Sequence, residues 1–236
     1  NIYIGYKYYE TRYEDAVMGV GNAGSRKGAV NSKLGWKYSE EVAFPFGYGS
    51  AYTEFEYSNF SAVRQENGDY KVTVTVTNTG DEVGADAVPV YLQKPYTDYD
   101  KQHGLEQAAV NLCGMAKTVE LDGGESQTVT INVEARSFAT YDDTVQKTYI
   151  REGGPNNVYY LTVGQDAHDA VNNILAKKGY TPSNTNNVMD AEGNAGFVQD
   201  IVFEDNDYET FAVAPVTGNE ITNRFEDVDW NKYEHK

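Results

Sequence analysis

The sequence predicts a mainly β chain built on an antiparallel β-sandwich, and three observations carry that prediction. From Asp69 to Asn78 apolar residues occupy the even positions and polar residues the odd ones, as in a strand with one buried face and one wet, threonine-lined face. Short apolar runs recur between residues 63 and 164, separated by turn residues; this spacing marks a sandwich rather than a helical bundle. Between those runs no stretch sustains a helical period.

The elements follow in order. Residues 1–62 are aromatic and glycine-rich. Asn1 to Tyr6 reads as strand from the middle of a domain, so the chain is expected to be a piece of a larger protein. Gly19 to Lys33 is glycine-dense and polar, hence a loop, and Phe44-Pro45-Phe46-Gly47-Tyr48-Gly49 punctuates rather than extends an element. After the alternating strand, Asn78-Thr79-Gly80-Asp81 supplies a turn. Ala87 to Leu92 is a second strand, which Pro89 places at an edge or a bulge. A third apolar run covers Ala108 to Leu121 and is followed by the turn Asp122 to Glu125. Val129, Ile131 and Val133 alternate with polar residues, and Val158 to Gly164 closes the set.

One amphipathic helix comes next. Asp166 or His168 can start it, Ala167, Ala170, Val171, Ile174 and Leu175 share a face, and Gly179 is placed for a left-handed cap. Thr181 to Asn187 then reads as a linker. From residue 180 onward twelve acids stand against three basic residues, about half of the net charge of −17. That composition predicts an extended acidic arm lying across another surface, with little core of its own.

Composition excludes several functions. Binding phosphate needs clustered Lys and Arg, so this acidity excludes a nucleic-acid partner. No apolar run approaches the roughly 18 residues of a membrane span, and no signal peptide opens the chain. One cysteine excludes an intrachain disulfide framework and a cysteine-based zinc cage.

Candidate chemistry is sparse. Glycoside hydrolysis needs two carboxylates about 5–9.5 Å apart, but among 36 acids any pair can be nominated. Asp227-Val228-Asp229-Trp230 is the most suggestive, and reads as an acidic arm with one anchoring Trp. His103, His168 and His235 show no metal spacing; His168 reads as a capping or packing residue. Cys113 sits in an apolar run without a base beside it. Thr97 to Lys101 reads as a solvated loop rather than a calcium loop. Gly19, Gly21 and Gly24 spell GxGxxG but lack the strand before and helix after that a dinucleotide site requires. The 20 tyrosines read as core fillers with hydroxyls that find partners. Asn59-Phe60-Ser61 is a formal glycosylation sequon, without weight outside a secretory context.

Phe44 to Ser58 (FPFGYGSAYTEFEYS) resembles glycoside hydrolase family 3, the β-glucosidase-like enzymes, at the passage from an α/β sandwich into a fibronectin type III-like domain. Ile2 to Thr11 is similar to the family's IYVGYRYY segment, and Val72 to Gly80 with Val90-Tyr91-Leu92 to the first strands of that domain. Ser50-Ala51 departs from the family's usual Leu-Ser. Asp166 to Leu175 and Gly218 to Asp227 resemble members in which the (β/α)8 barrel comes last. The resemblance implies a fibronectin type III-like antiparallel β-sandwich over 63–179, with the edge of an α/β sandwich over 1–62. An acidic connector leading to the barrel then occupies 180–236. The family's nucleophile lies on the barrel in Ser-Asp-Trp, whereas Asp229-Trp230 follows Val228, and its acid/base glutamate lies upstream of the IYVGYRYY-like segment. The resemblance therefore assigns no catalytic, cofactor or metal residue here. The expected role is a non-catalytic brace for the catalytic domains of a retaining β-glucosidase-like hydrolase, which bind the carbohydrate substrate. The alternatives are a carbohydrate-binding module using exposed Tyr and Trp230, and one half of a split enzyme.

Overall fold

A computed structural model describes residues 2–20 and 36–222. The fold class is the one predicted. Strands β1 (Phe55–Arg64), β2 (Tyr70–Asn78) and β5 (Ser126–Val133) form one antiparallel sheet in the order β1-β2-β5. Strands β3 (Ala87–Gln93), β4 (Asn111–Lys117), β8 (Val158–Val163) and β9 (Val198–Val202) form the second, in the order β4-β3-β8-β9. A small hairpin, β6 (Thr140–Asp142) with β7 (Thr148–Ile150), stands apart. β1 crosses position 62, so the sandwich starts at Phe55, inside the stretch that the sequence reading assigns to the upstream domain.

The alternation of β2 has its expected cause. Val72, Val74 and Val76 are fully buried against Val88, Val90 and Leu92 of the facing sheet, while Thr75 and Thr77 pair across the wet face with Thr128 and Ser126 at 3.0 and 2.8 Å. β3 does not alternate because both its faces are covered. Val88, Val90 and Leu92 enter the sandwich core, whereas Tyr91 enters a second core formed with α4 (Ala167–Lys177) and α1 (Tyr6–Met18). A strand buried on both faces reads as a continuous apolar run. β3 is interior in its sheet, yet Pro89 is accommodated: pairing with β8 begins only at Val90, and the register on β4 shifts between Val90 and Tyr91.

α4 matches its sequence signals. Asp166 is the N-cap, its side chain accepting from the Asp169 amide at 2.8 Å. Ala167, Ala170, Val171, Ile174 and Leu175 are all fully buried. At the other end Gly179 has φ 89°, its N–H donates to Ala176 O, and Tyr180 N–H donates to Leu175 O at 2.9 Å, which completes a Schellman closure.

Two expectations are corrected. The opening residues are not a strand: 13 residues, Tyr6–Met18, form α1. No apolar stripe announces this helix, because most of the faces it buries are polar. Glu10, Thr11, Arg12, Glu14 and Asp15 are all buried. Thr97 to Lys101 is likewise not a solvated loop. Thr97 starts the short helix α3 (Asp98–His103) with a reciprocal capping box to Asp100, which is fully buried.

The acidic arm lies across the molecule's own sandwich. Thr181 to Asn187 contains a tight turn with Thr185 buried, Met189 enters the α4 core, and β9 extends the second sheet beyond β8. Ile201 and Phe203 reach the sandwich core. Contact with α4 depends on Gly193, where a Cβ would overlap the Asn172 carbonyl, and on Asn173, which accepts from the Asn194 amide at 2.7 Å. Gly193→Ala is therefore expected to lift the arm and cost about 1–3 kcal/mol. Calorimetry reads this as a lowered midpoint; an unchanged midpoint would mean that the arm does not bear on α4.

Candidate functional site

Glu10, His168 and Asp190 converge between α1, α4 and the arm. His168 stands in the first turn of α4, positioned by the Asp166 cap. Its Nδ1 lies 2.9 Å from Glu10 Oε2, and its Nε2 lies 3.0 and 3.1 Å from the two oxygens of Asp190. With a carboxylate on each ring nitrogen, both must carry hydrogen, so the ring is an imidazolium. Burial alone would lower its pKa; the hydrogen bonds and charges of Asp190 and Glu10 outweigh burial and raise it to about 9. Asp190 answers in kind: burial pushes its carboxyl up, but bonding to His168 holds it below the usual range.

Aromatic rings enclose the cluster. Tyr38 of α2 (Tyr38–Glu41) stacks on His168 at 3.8 Å with planes 19° apart, and Tyr13 lies 4.4 Å away. Tyr38 donates to Glu10 at 2.5 Å. The Tyr13 hydroxyl sits 2.8 Å from Asn172 Oδ1 and accepts from the Asp190 amide at 2.9 Å. Lower on α1, Glu14 accepts from Gln93 at 2.9 Å and from Lys178 at 2.6 Å, and Arg12 pairs with Glu41 at 3.2 Å beneath Trp36.

Chemically this is a clamp. Both ring N–H groups of His168 are taken by carboxylates, and the Glu10 side chain is wholly buried, so neither presents a proton to a substrate. A second buried pair, Asp100 with Glu152, joins two carboxyls with no cation between them. Thr97 donates to Glu152 at 2.6 Å, and burial together with the neighbouring Glu152 pushes the Asp100 carboxyl up to about 7. Among the described residues, no group of three His, Cys, Asp or Glu is placed to hold a metal ion.

The residues singled out in the sequence are scattered. His168 is the packing residue expected, and also a cation, which its sequence context does not announce. His103 lies on α3 with its ring 4.4 Å from Tyr99. Cys113 donates to Val90 O at 3.4 Å, and burial pushes its thiol up to about 12. Gly19 ends helix α1 rather than following a strand. Gly21, Gly24, Asp227, Asp229, Trp230 and His235 lie outside the described residues. Asn59 is exposed in β1 at a register shift, with φ 51°. The buried tyrosines fill core and find partners, Tyr57 on Asp86 at 2.7 Å and Tyr159 on Glu152 O at 2.9 Å. Glu10, Tyr13, Tyr38 and Asp190 escape sequence reasoning, since nothing in spacing joins positions so far apart in the chain.

A family model for the fibronectin type III-like domain matches residues 86–167. The chain is 34% identical over 144 residues to a β-glucosidase of Ruminococcus albus, covering 61% of this chain and 12% of that protein. The crystal structure of a β-glucosidase from Paenibacillus barengoltzii is similar with TM-score 0.52 and 28% identity, over 71% of this chain and 15% of the other. The glycoside hydrolase family 3 β-glucosidase of Bifidobacterium adolescentis shares the fold with TM-score 0.56 at 21% identity, over 92% of this chain and 23% of the other. The chain thus spans less than a quarter of the length of these relatives.

Proposed function

We propose, on the premise that this chain is a fibronectin type III-like segment of the β-glucosidase-like proteins of glycoside hydrolase family 3, that it braces the catalytic domains of a larger hydrolase and contributes no catalytic residue. The larger enzyme would cleave terminal β-glycosidic bonds with retention. Residues 1–62 would close its upstream α/β sandwich and 180–236 would lead towards its barrel.

One observation carries this reading: the loop entering the sandwich displays its aromatic rings outward while its backbone is fixed. Phe44, Phe46, Tyr48 and Tyr52 are 69%, 45%, 52% and 98% exposed. The loop beneath them is anchored, with Phe46 O accepting from the Ala167 amide at 2.9 Å and the Phe46 ring stacked on Tyr6 at 4.4 Å. Exposed aromatic rings gathered on one anchored loop fit a contact with another protein surface. Its position, where the chain comes from the upstream segment, favours the enzyme's own domains as that surface. Purified chain is expected to release no nitrophenol from a nitrophenyl β-glucoside above buffer. Turnover that tracks the protein through purification would overturn the reading.

A further inference from the structure

A groove of about 800 Å³ runs between the start of α1, the segment after α3 and the β6–β7 hairpin, within the roughly 300–1,000 Å³ range of small-molecule sites. Three tyrosines line it. Tyr3 and Tyr141 are 43% and 37% exposed, and Tyr141 meets Tyr149 edge-on at 5.2 Å across the hairpin. Lys7, Glu106, Asn111 and Asp143 also line it, one oxygen of Glu106 accepting from the Tyr3 hydroxyl at 2.6 Å. The floor is polar and buried: Gln107, 5% exposed, donates towards Asp100 at 3.1 Å and Thr140 at 3.3 Å.

The walls are fixed by interactions that the sandwich core does not require. The hairpin loop is gathered onto Asp142, which accepts from the amides of Thr144, Val145 and Gln146 at 2.8–3.0 Å and from Tyr99 at 2.5 Å. The opposite wall is tied to α1 through Thr11, which accepts from the Ala109 amide at 2.9 Å, and Tyr6, which accepts from the Leu112 amide at 3.0 Å. Rigid aromatic faces beside a mixture of acid, amide and ammonium groups fit one ligand chemistry. A sugar ring offers C–H faces to tyrosine, hydroxyl donors to Glu106 and Asp143, and hydroxyl acceptors to Asn111 and Lys7. The charged lining is balanced, Lys7 and Lys94 against Glu106 and Asp143, which suits a neutral ligand better than an ion. The smaller cleft beside α1 offers less, because its Lys178 is held by Glu14 and lies 5.3 Å over Tyr160.

We infer that this groove is a saccharide-binding site that holds a short β-linked oligosaccharide. The sugar class rests on the β-glucosidase-like reading; the groove itself does not.

The test is titration of the isotopically labelled chain with cellotetraose, followed by amide and tyrosine-ring NMR shifts. Saturable shifts confined to residues 3–7, 104–111 and 140–149 are expected, with Kd on the order of 1 mM. Tyr141→Ala weakens binding roughly tenfold, while Tyr141→Phe, which keeps the ring, stays within about threefold. No saturable shift up to about 20 mM, shifts centred on the Phe44–Tyr52 loop, or a Tyr141→Ala variant that is folded and binds like the parent would each overturn the inference. Recovery of enzyme activity on mixing with catalytic domains is a separate readout, so the groove and the bracing role can fail independently.

Discussion

His168→Ala is expected to destabilise the chain by about 3 kcal/mol, because it leaves the wholly buried Glu10 without its cation, while Asp190, 39% exposed, is screened by solvent. For a chain of this size that corresponds to a drop of roughly 6–12 °C in unfolding midpoint. The loss concentrates where α1 meets α4 and the arm, so amide exchange quickens in Tyr6–Met18 before it does in β2. Combining His168→Gln with Glu10→Gln recovers part of the loss, since the buried carboxylate goes together with its cation and only the partly exposed Asp190 stays unpaired. The sign of the pH effect follows from the raised pKa. Folding lifts His168 from 6.5 to about 9, so its stabilisation is fully present below pH 6.5 and disappears as pH rises through 9. Urea titrations across that window show a declining stability in the parent and a flatter profile in the His168→Gln variant. A parent profile as flat as the variant's would remove the imidazolium from the clamp.

Asp142→Ala is the second large effect. One buried carboxylate organises the whole β6–β7 loop, accepting from three consecutive amides, the Thr144 hydroxyl and Tyr99. Hydrogen bonds to a charged group contribute about 1.5–3 kcal/mol each, without full additivity, so a total loss of roughly 3 kcal/mol is expected. Burial pushes the Asp142 carboxyl up, but the Tyr99 and amide bonds outweigh it and hold it well below 3.8. Its stabilisation is therefore present above that value and is lost as pH falls below it. Exchange at amides 143–147 rises by orders of magnitude in the variant while β2 and β5 keep their protection. Uniform destabilisation of the sandwich instead would show that the hairpin is not an independently held platform.

These two sites also show what a sequence can and cannot display. β2 and β5 are legible because each has one dry and one wet face, so composition records the geometry directly. α4 is legible because its buried face is apolar and its ends carry Asp166 and Gly179. β3 is half-legible: its double burial erases the alternation, and Pro89 points to an edge that holds only on the β8 side. α1 is hidden because Glu10, Arg12, Glu14 and Asp15 are buried as polar groups; Glu10, Arg12 and Glu14 take partners 28 to 164 positions along the chain, at Tyr38, Glu41 and Lys178 among others. Ion pairs over such separations leave no local pattern. The arm misleads in a different way. Its sequence shows the acids, whereas Met189, Ile201 and Phe203 are buried as anchors and Asp190, Asp200 and Asp207 pair with His168, Lys177 and Arg151.

The family reading came through ordered motifs rather than chemistry. FPFGYG at residues 44–49 is loop, not scaffold, and its rings are displayed rather than buried. That is why hydrophobicity alone gives it no role, and why the bracing function depends on what those rings meet.

The most direct measurement mixes this chain with separately expressed catalytic domains of the proposed larger hydrolase and follows nitrophenyl β-glucoside turnover. The account predicts no activity from the chain, and saturable recovery at a 1:1 ratio that Phe44→Ser with Tyr52→Ser weakens. Activity in the chain by itself, or catalytic domains whose turnover and thermal midpoint are indifferent to its addition, would contradict it.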